Sequence, residues 1–286
     1  MNTPSAEISI AEALAWARKH IPPPEARLLL RYICRTSAAH LAAWPEKPLP
    51  AAQWEAFQHF VKRRATGEPI AYLTNEREFY GRNFLVNASV LIPRPETELL
   101  VELAVAHFAA VPHPKVLDLG TGSGVLAITL ALELDRPTIT ATDISSDALA
   151  VATTNALRFG VTISFLWSDW YLLLKRKDRF QLIVANPPYI VEGDSHLTQG
   201  DLRFEPLPAL ASGQDGLTAL TAIVAGAGHH LENGGWLFLE HGYDQAAAVR
   251  SLLTNAGFTD IASWKDIAGI ERVSGARWKT GQIKSS

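Results

Sequence analysis

The sequence has a single cysteine, Cys34, in 286 residues, so no internal disulfide can form and a disulfide-stapled secreted fold is excluded. Its opening, "MNTPSAEISI", carries neither a basic n-region nor an apolar h-region, and no apolar run approaches the roughly 18 residues that span a bilayer. These absences predict a soluble, cytoplasmic protein with no membrane partner. An excess of one charge is missing too: 26 Lys and Arg stand against 29 Asp and Glu, a net charge of −3. That balance does not describe a protein that coats nucleic acid or anionic lipid. Internal repeats and low-complexity tracts are absent.

What is present reads as globular: 48% hydrophobic and 19% charged residues, enough chain for one large domain or two unequal ones. The front carries helix signals. Ser9 and Glu12 have capping-box spacing, and Ile10, Leu14 and Ala17 recur at helical intervals up to Pro22. A second helix follows the triple proline as "EARLLLRYICR", and a third runs from Pro50 through Trp54, Phe57, Phe60 and Val61 to a stop at Gly67. Residues 1–67 are therefore expected to form a small helical domain. This front is mildly basic, since residues 1–85 hold 11 basic and 8 acidic side chains against 15 and 21 in the remainder, and Lys62, Arg63 and Arg64 are adjacent. "AYLTNEREFYGRNFLV" places strand-type residues on both sides of Tyr80-Gly81, which predicts a β-hairpin linker over residues 68–93.

From residue 94 to residue 286 the pattern alternates between helices and strands. The strands are "KVLDLG", "TITATD", "ISFLWSD", "FQLIVAN", "GGWLFLEHG", "IASWKD" and "ERVSGARW". Alternation of this kind predicts an α/β fold, a mostly parallel, doubly wound sheet with helices on both faces. The last two strands are joined by too few residues for a parallel crossover, so the final strand is expected to be antiparallel.

The first of these strands runs into "DLGTGSG", where Gly120, Gly122 and Gly124, with Thr121 and Ser123 between them, let the backbone turn tightly and approach a ligand. Asp143 ends the second strand, where a carboxylate can accept hydrogen bonds from the ribose hydroxyls of an adenosine-containing ligand or cap the next helix, a task Ser145 or Ser146 can also perform. The dinucleotide fingerprint G-x-G-x-x-G is absent. The spacing is G-x-G-x-G, which disfavours a nicotinamide cofactor and makes S-adenosylmethionine the leading candidate. The third strand ends in "SDW", putting Asp169 and Trp170 where a carboxylate and an indole face can meet adenine.

The fourth strand stops at "NPPY", Asn186 to Tyr189. A proline pair ends ladder pairing wherever it falls, so position decides whether it does more. Next to the first strand, it faces the same crevice as the glycine loop. Asn186, ahead of a proline, is pushed out of the α region. Its carboxamide oxygen and a nearby main-chain carbonyl, such as that of Pro187, make two acceptors for a planar –NH₂ group. Pro188 stiffens the loop, and the Tyr189 ring can pack on the planar group and tolerate developing positive charge. Gripping both N–H bonds aims the nitrogen lone pair at an electrophilic methyl, with no metal or covalent intermediate.

These motifs carry a resemblance. "EFYGRNFLVNASVLIPRPETELLV", "NPPYI" followed by "LRFEPLPALASGQDGL", and "IERVSGARW" resemble the release-factor glutamine N5-methyltransferases of the HemK/PrmC type, from about Gly67 to the end. The resemblance implies a Rossmann-like seven-stranded methyltransferase sheet and transfer of methyl from S-adenosylmethionine to the glutamine of a Gly-Gly-Gln (GGQ) loop in peptide chain release factors, leaving S-adenosylhomocysteine. It implies that Gly120 to Gly124, Asp143 and Trp170 bind cofactor and that Asn186 to Tyr189 bind the substrate glutamine. It also places Arg94, Pro95, Glu96 and Glu98 at the crevice border, without a chemical role. Tyr171 stands where the family often has Phe. The main rival is an amino-methyltransferase acting on adenine or cytosine in nucleic acid, which makes the same chemical demand but lacks support from the charge balance and the flanking motifs. A non-catalytic cofactor-binding partner would carry a broken glycine loop or a damaged "NPPY", and both are intact.

Overall fold

The computed structural model describes residues 8–280, so most of the stretch read for a leader falls outside them. The chain divides into two compact units: residues up to Asn75 with Gly200–Phe204, and Glu76–Gln199 with the residues from Glu205 onward. No helix among the described residues is long and apolar enough to cross a membrane.

In the smaller unit, α1 (Ile10–Ala17) begins with the predicted capping box: the Ser9 hydroxyl accepts from the Glu12 amide, and the Glu12 carboxylate accepts from the Ser9 amide at 2.8 Å. Helix α4 (Ala51–Ala65) starts after Pro50, as read, whereas α2 (Pro23–Cys34) takes Pro23 and Pro24 of the triple proline into its first turn, where the missing amide hydrogens cost nothing. Between them lies α3 (Ala38–Ala43), a short helix capped by Ser37. The fifth helix, α5 (Ile70–Thr74), replaces the start of the expected hairpin: its Ala71, Tyr72, Leu73 and Thr74 are all buried, and burial overrides their strand preference. One core joins these helices around Leu29, Leu30, Phe57 and Val61.

Two of the three adjacent basic residues do not present free charge. Arg63 is paired with Glu68, and Arg64 bridges Glu25 at 2.8 Å and Asp201 at 2.9 Å, which holds the guanidinium firmly charged. Lys62 alone of the three is exposed.

The larger unit opens with a hairpin around Tyr80-Gly81, strands β1 (Glu76–Phe79) and β2 (Arg82–Leu85), antiparallel with Phe79 opposite Arg82. After a 3₁₀ turn at Pro95–Thr97 come α6 (Glu98–Phe108), β3 (Lys115–Leu119), α7 (Val125–Glu133), β4 (Thr138–Asp143), α8 (Ser146–Phe159), β5 (Ser164–Trp167) and β6 (Phe180–Ala185). The unit ends with α9 (Thr218–Ala227), β7 (Leu231–Glu240), α10 (Ala246–Asn255), β8 (Thr259–Lys265) and β9 (Glu271–Arg277).

Strands β3 to β9 form one sheet in the order β5-β4-β3-β6-β7-β9-β8, parallel except for β9, which runs antiparallel to both neighbours. The seven strands and the antiparallel last one match the sequence reading, and the fold is the Rossmann-like methyltransferase architecture. Burial of successive residues alternates between two cores. Val116, Leu182, Val184 and Phe238 enter one, while Leu117, Ile183, Ala185 and Leu239 enter the other, as two-sided burial of a parallel sheet requires. The chain reverses its strand order at β3 and β6, so their carboxyl ends open a crevice where ligands of such sheets bind.

Candidate active site

A cavity of about 380 Å³ occupies that crevice. The loops after β3, β4, β5 and β6 supply Gly120 to Ser123, Asp143, Asp169, Trp170 and Asn186 to Pro188 to its wall, and Arg94 and Thr97 close another side. Most of the predicted site residues therefore line one cavity; Gly124, which turns the loop into α7, and Tyr189, discussed below, do not.

The glycine loop is held from beneath. The amides of Gly120 and Thr121 both donate to the Thr142 carbonyl at 2.9 Å, and the Gly122 amide donates to Asp143 Oδ2 at 2.8 Å. Gly124 has φ +84°, and a Cβ there would lie 2.9 Å from Ile128 Cδ1 and 3.3 Å from the Ala152 Cα, so only glycine lets the loop enter α7. Asn155, buried on α8, donates to the Ser123 carbonyl at 2.9 Å and bonds both the amide and the carbonyl of Leu85, tying the loop to the hairpin.

Asp143 keeps a half-buried carboxylate at the cavity wall. Burial raises its pKa, while the amides of Ser145, Gly122 and Ile144 oppose that rise. It does not cap α8; the Ser145 hydroxyl does, accepting from the Ala148 amide at 3.1 Å. Trp170, in a left-handed backbone conformation at φ 42°, lays its indole against Gly120, and the exposed Asp169 precedes it. Ile144, absent from the sequence reading, adds an exposed apolar side chain beside Asp143.

Asp118, also unforeseen, lies fully buried under the loop. It accepts from the Thr121 hydroxyl at 2.6 Å and the Ala127 amide at 3.2 Å, and its Oδ1 has no hydrogen-bond partner. Burial pushes its pKa up to about 7. A cradle of backbone turns, an acid at the end of β4, an indole and an isoleucine fits an adenosyl ligand.

At the end of β6, the Asn186 Nδ2 donates to Thr97 Oγ1 at 3.0 Å, and no donor among the described residues reaches its Oδ1. Tyr189 differs from expectation. Its ring packs against the core beneath the sheet and its hydroxyl donates to Glu240 Oε1 at 3.3 Å, because a phenol buried there needs an acceptor; it does not line the cavity. Burial, and the nearby Glu240 charge, raise its pKa. The Tyr189 carbonyl accepts from Gln245 Nε2 at 3.0 Å. Ile190 pairs with the segment Leu210–Ser212 through bonds of 2.9 and 2.8 Å. A Cβ on Gly216 would lie 2.4 Å from the Tyr189 carbonyl oxygen, so the "GQDGL" segment packs directly on the motif.

The four border residues now acquire contacts. Arg94 reaches the buried Glu205 at 2.5 Å, and Glu205 also accepts from the Ile92 amide. Pro95 opens the 3₁₀ turn that presents Thr97, Glu98 accepts from the Tyr80 amide, and Glu96 stands near Glu240. Tyr171 uses the hydroxyl that Phe lacks to donate to the Ile223 carbonyl at 2.9 Å, and it stacks on His230.

The chain is similar to several known proteins. Residues 96–201 match the family model of the methyltransferase small domain, and residues 6–74 match that of the PrmC N-terminal domain. The release factor glutamine methyltransferase of Bordetella pertussis is 49% identical over 255 residues, 89% of this chain and 94% of that protein. That of Burkholderia pseudomallei is 49% identical over 259 residues, 88% and 91%. A solved 16S rRNA N2 G1207 methyltransferase of T. thermophilus, in complex with AdoMet and guanosine, shares the fold at a TM-score of 0.53 and 22% identity, over 71% of this chain and 50% of that one. Identity near one half across almost the whole length, together with an intact glycine loop and an intact "NPPY", leads to one conclusion: the chain belongs to the release factor glutamine methyltransferase family.

Proposed function

We propose that this protein methylates the side-chain amide nitrogen of the glutamine in the GGQ loop of peptide chain release factors, with S-adenosylmethionine as methyl donor and S-adenosylhomocysteine as product. The observation that carries the reading is the Asn186 carboxamide: its nitrogen is engaged by Thr97 and its oxygen is left to the cavity, beside the glycine loop.

S-adenosylmethionine, held by the loop from Gly120 to Gly124, Asp143, Ile144 and Trp170, supplies an electrophilic methyl on a sulfonium. An amide nitrogen is a poor nucleophile because its lone pair is delocalised. Asn186 Oδ1 and the Pro187 carbonyl accept its two N–H hydrogens and hold the lone pair in line, beside the stiff walls of Pro187 and Pro188. With that ligand bound, these acceptors would stabilise the positive charge that methylation places on the nitrogen until one of its two N–H protons is given up to solvent. Tyr189 serves by anchoring the motif through Glu240 and Gln245.

The helical unit, residues 1–67 in the sequence reading, is proposed to recognise the release factor outside the loop, through shape and Lys62 more than through Arg63 and Arg64, whose charges are paired. A cytoplasmic location and the absence of a nucleic-acid substrate belong to the same proposal, in keeping with the net charge of −3. Steady-state kinetics test it: a folded release factor should show a KM far below that of a short GGQ peptide, and equal values would remove the helical unit from recognition.

A further inference from the structure

Resting on the reading that the cavity takes S-adenosylmethionine, we propose that Arg94 binds the α-carboxylate of that ligand and that Glu205 is the positioning residue that aims it. Arg94 stood at the crevice border without a chemical role. Its partner is the acid of "LRFEP", in another of the segments that carry the resemblance.

The pair is built to present a guanidinium. The Glu205 side chain is 0% exposed and both of its oxygens are engaged, Oε1 by Arg94 Nη2 at 2.5 Å and Oε2 by the Ile92 amide at 2.9 Å. A carboxylate held at both oxygens fixes the guanidinium from behind. The Arg94 side chain is 28% exposed and lines the cavity. Among the described residues it makes no side-chain hydrogen bond except that to Glu205, so most of its five N–H donors are left for a ligand. Its backbone is fixed as well: ahead of Pro95 it is extended at φ −104° and ψ 142°, and its carbonyl accepts from the Thr97 amide at 3.2 Å.

Charge selects the ligand group. Asp143 and Asp169 are the acids of the cavity wall, and Arg94 is its only cation among the described residues. S-adenosylmethionine brings a sulfonium, an ammonium and one carboxylate, whereas the glutamine amide is neutral. That carboxylate is the one anion between the two reactants, and the guanidinium is the one charged group in the wall that matches it. Position agrees with charge. The 3₁₀ turn that follows Arg94 brings Thr97 to Asn186 Nδ2 at 3.0 Å, so Arg94 belongs to the transfer end of the cavity, while Asp143 and Trp170 mark the adenosine end. The methyl must reach Asn186, and the methionine part of the donor travels with it. Glu205 offsets the Arg94 charge, so the pair adds no net positive charge beside a sulfonium.

Decarboxylated S-adenosylmethionine, which lacks only the carboxylate, isolates the contact. In titration calorimetry the wild type should bind S-adenosylmethionine at least about tenfold more tightly than the decarboxylated form. Arg94→Met should cut that preference to less than about threefold by weakening S-adenosylmethionine alone, Arg94→Lys should keep part of it, and Glu205→Gln should fall between the wild type and Arg94→Met. In the wild type, the Arg94 guanidinium ¹⁵N–¹H signals, assigned by their loss in Arg94→Lys, should shift with S-adenosylmethionine and hold with the decarboxylated form. A wild type without the preference, an unchanged preference in folded Arg94→Met, or guanidinium signals that move equally with both ligands would overturn the proposal. A higher KM for release factor in Arg94→Met with the preference intact would overturn it too, and give Arg94 to the substrate. A protein that shows the preference yet methylates no glutamine would overturn the substrate reading and leave Arg94 in its place.

Discussion

Asp143 at the end of β4 receives the amide hydrogen of Gly122 at 2.8 Å, so the acid proposed to hold the ribose also holds the glycine loop. Its other oxygen accepts from Ser145 at 2.9 Å. One carboxylate thus couples two walls of the cavity.

Replacing Asp143 with Ala should weaken S-adenosylmethionine binding by roughly 2 kcal/mol, about thirtyfold in Kd, because charged acceptors are lost to the ligand and the loop together. Titration calorimetry checks it, and an unchanged Kd in a folded variant would remove Asp143 from the site.

Asn186→Ala should leave that Kd nearly intact while lowering turnover by orders of magnitude, since alignment of the substrate nitrogen matters in the transition state. A variant that keeps more than about a tenth of wild-type kcat, a loss under about 1.4 kcal/mol, contradicts the role.

At Gly124 a methyl group collides with Ile128 and the Ala152 backbone in a left-handed conformation. Gly124→Ala should cost about 1–3 kcal/mol of stability from strain and overpacking. Chemical denaturation reads it directly, and a cost near zero would mean that the loop can shift freely against α8.

The buried Asp118 gives a pH signature. Its carboxyl rises from 3.8 to about 7 on folding, so its contribution to stability is complete below about pH 4 and is lost as pH climbs through about 7. Asp118→Asn carries no charge and escapes that loss. Its melting temperature relative to the wild type, without ligand, should therefore rise from about pH 5 to about pH 8. An equal difference at both values would show that Asp118 is not the group responsible.

Much of this was legible before the structure. The strand runs, the antiparallel last strand, the glycine loop and "NPPY" all depend on local pattern, and local pattern sits in the sequence. The residues missed are those whose roles depend on burial across the fold. Glu240 reads as one more acid at a strand end, and Thr97 as one residue in "RPETE"; β7 lying beside β6 brings Glu240 to Tyr189, and the 3₁₀ turn ahead of α6 brings Thr97 to Asn186. Asp118 opens "DLGTGSG", but its full burial is a tertiary fact. The spacing of "NPPY" predicts a stacking role for Tyr189, and the ring's packing against the core removes it. The basic triplet reads as a docking patch because the partners of Arg64 are distant in sequence, Glu25 by 39 residues and Asp201 by 137, although the partner of Arg63, Glu68, lies only five residues on.

The measurement closest to the central claim is mass spectrometry of a folded release factor incubated with this protein and S-adenosylmethionine labelled on the methyl group. One added methyl is expected, on the side-chain nitrogen of the GGQ glutamine, lost in Asn186→Ala. Label that accumulates on an adenine or cytosine amino group in a parallel DNA or RNA pool, with the glutamine unmodified, would contradict it.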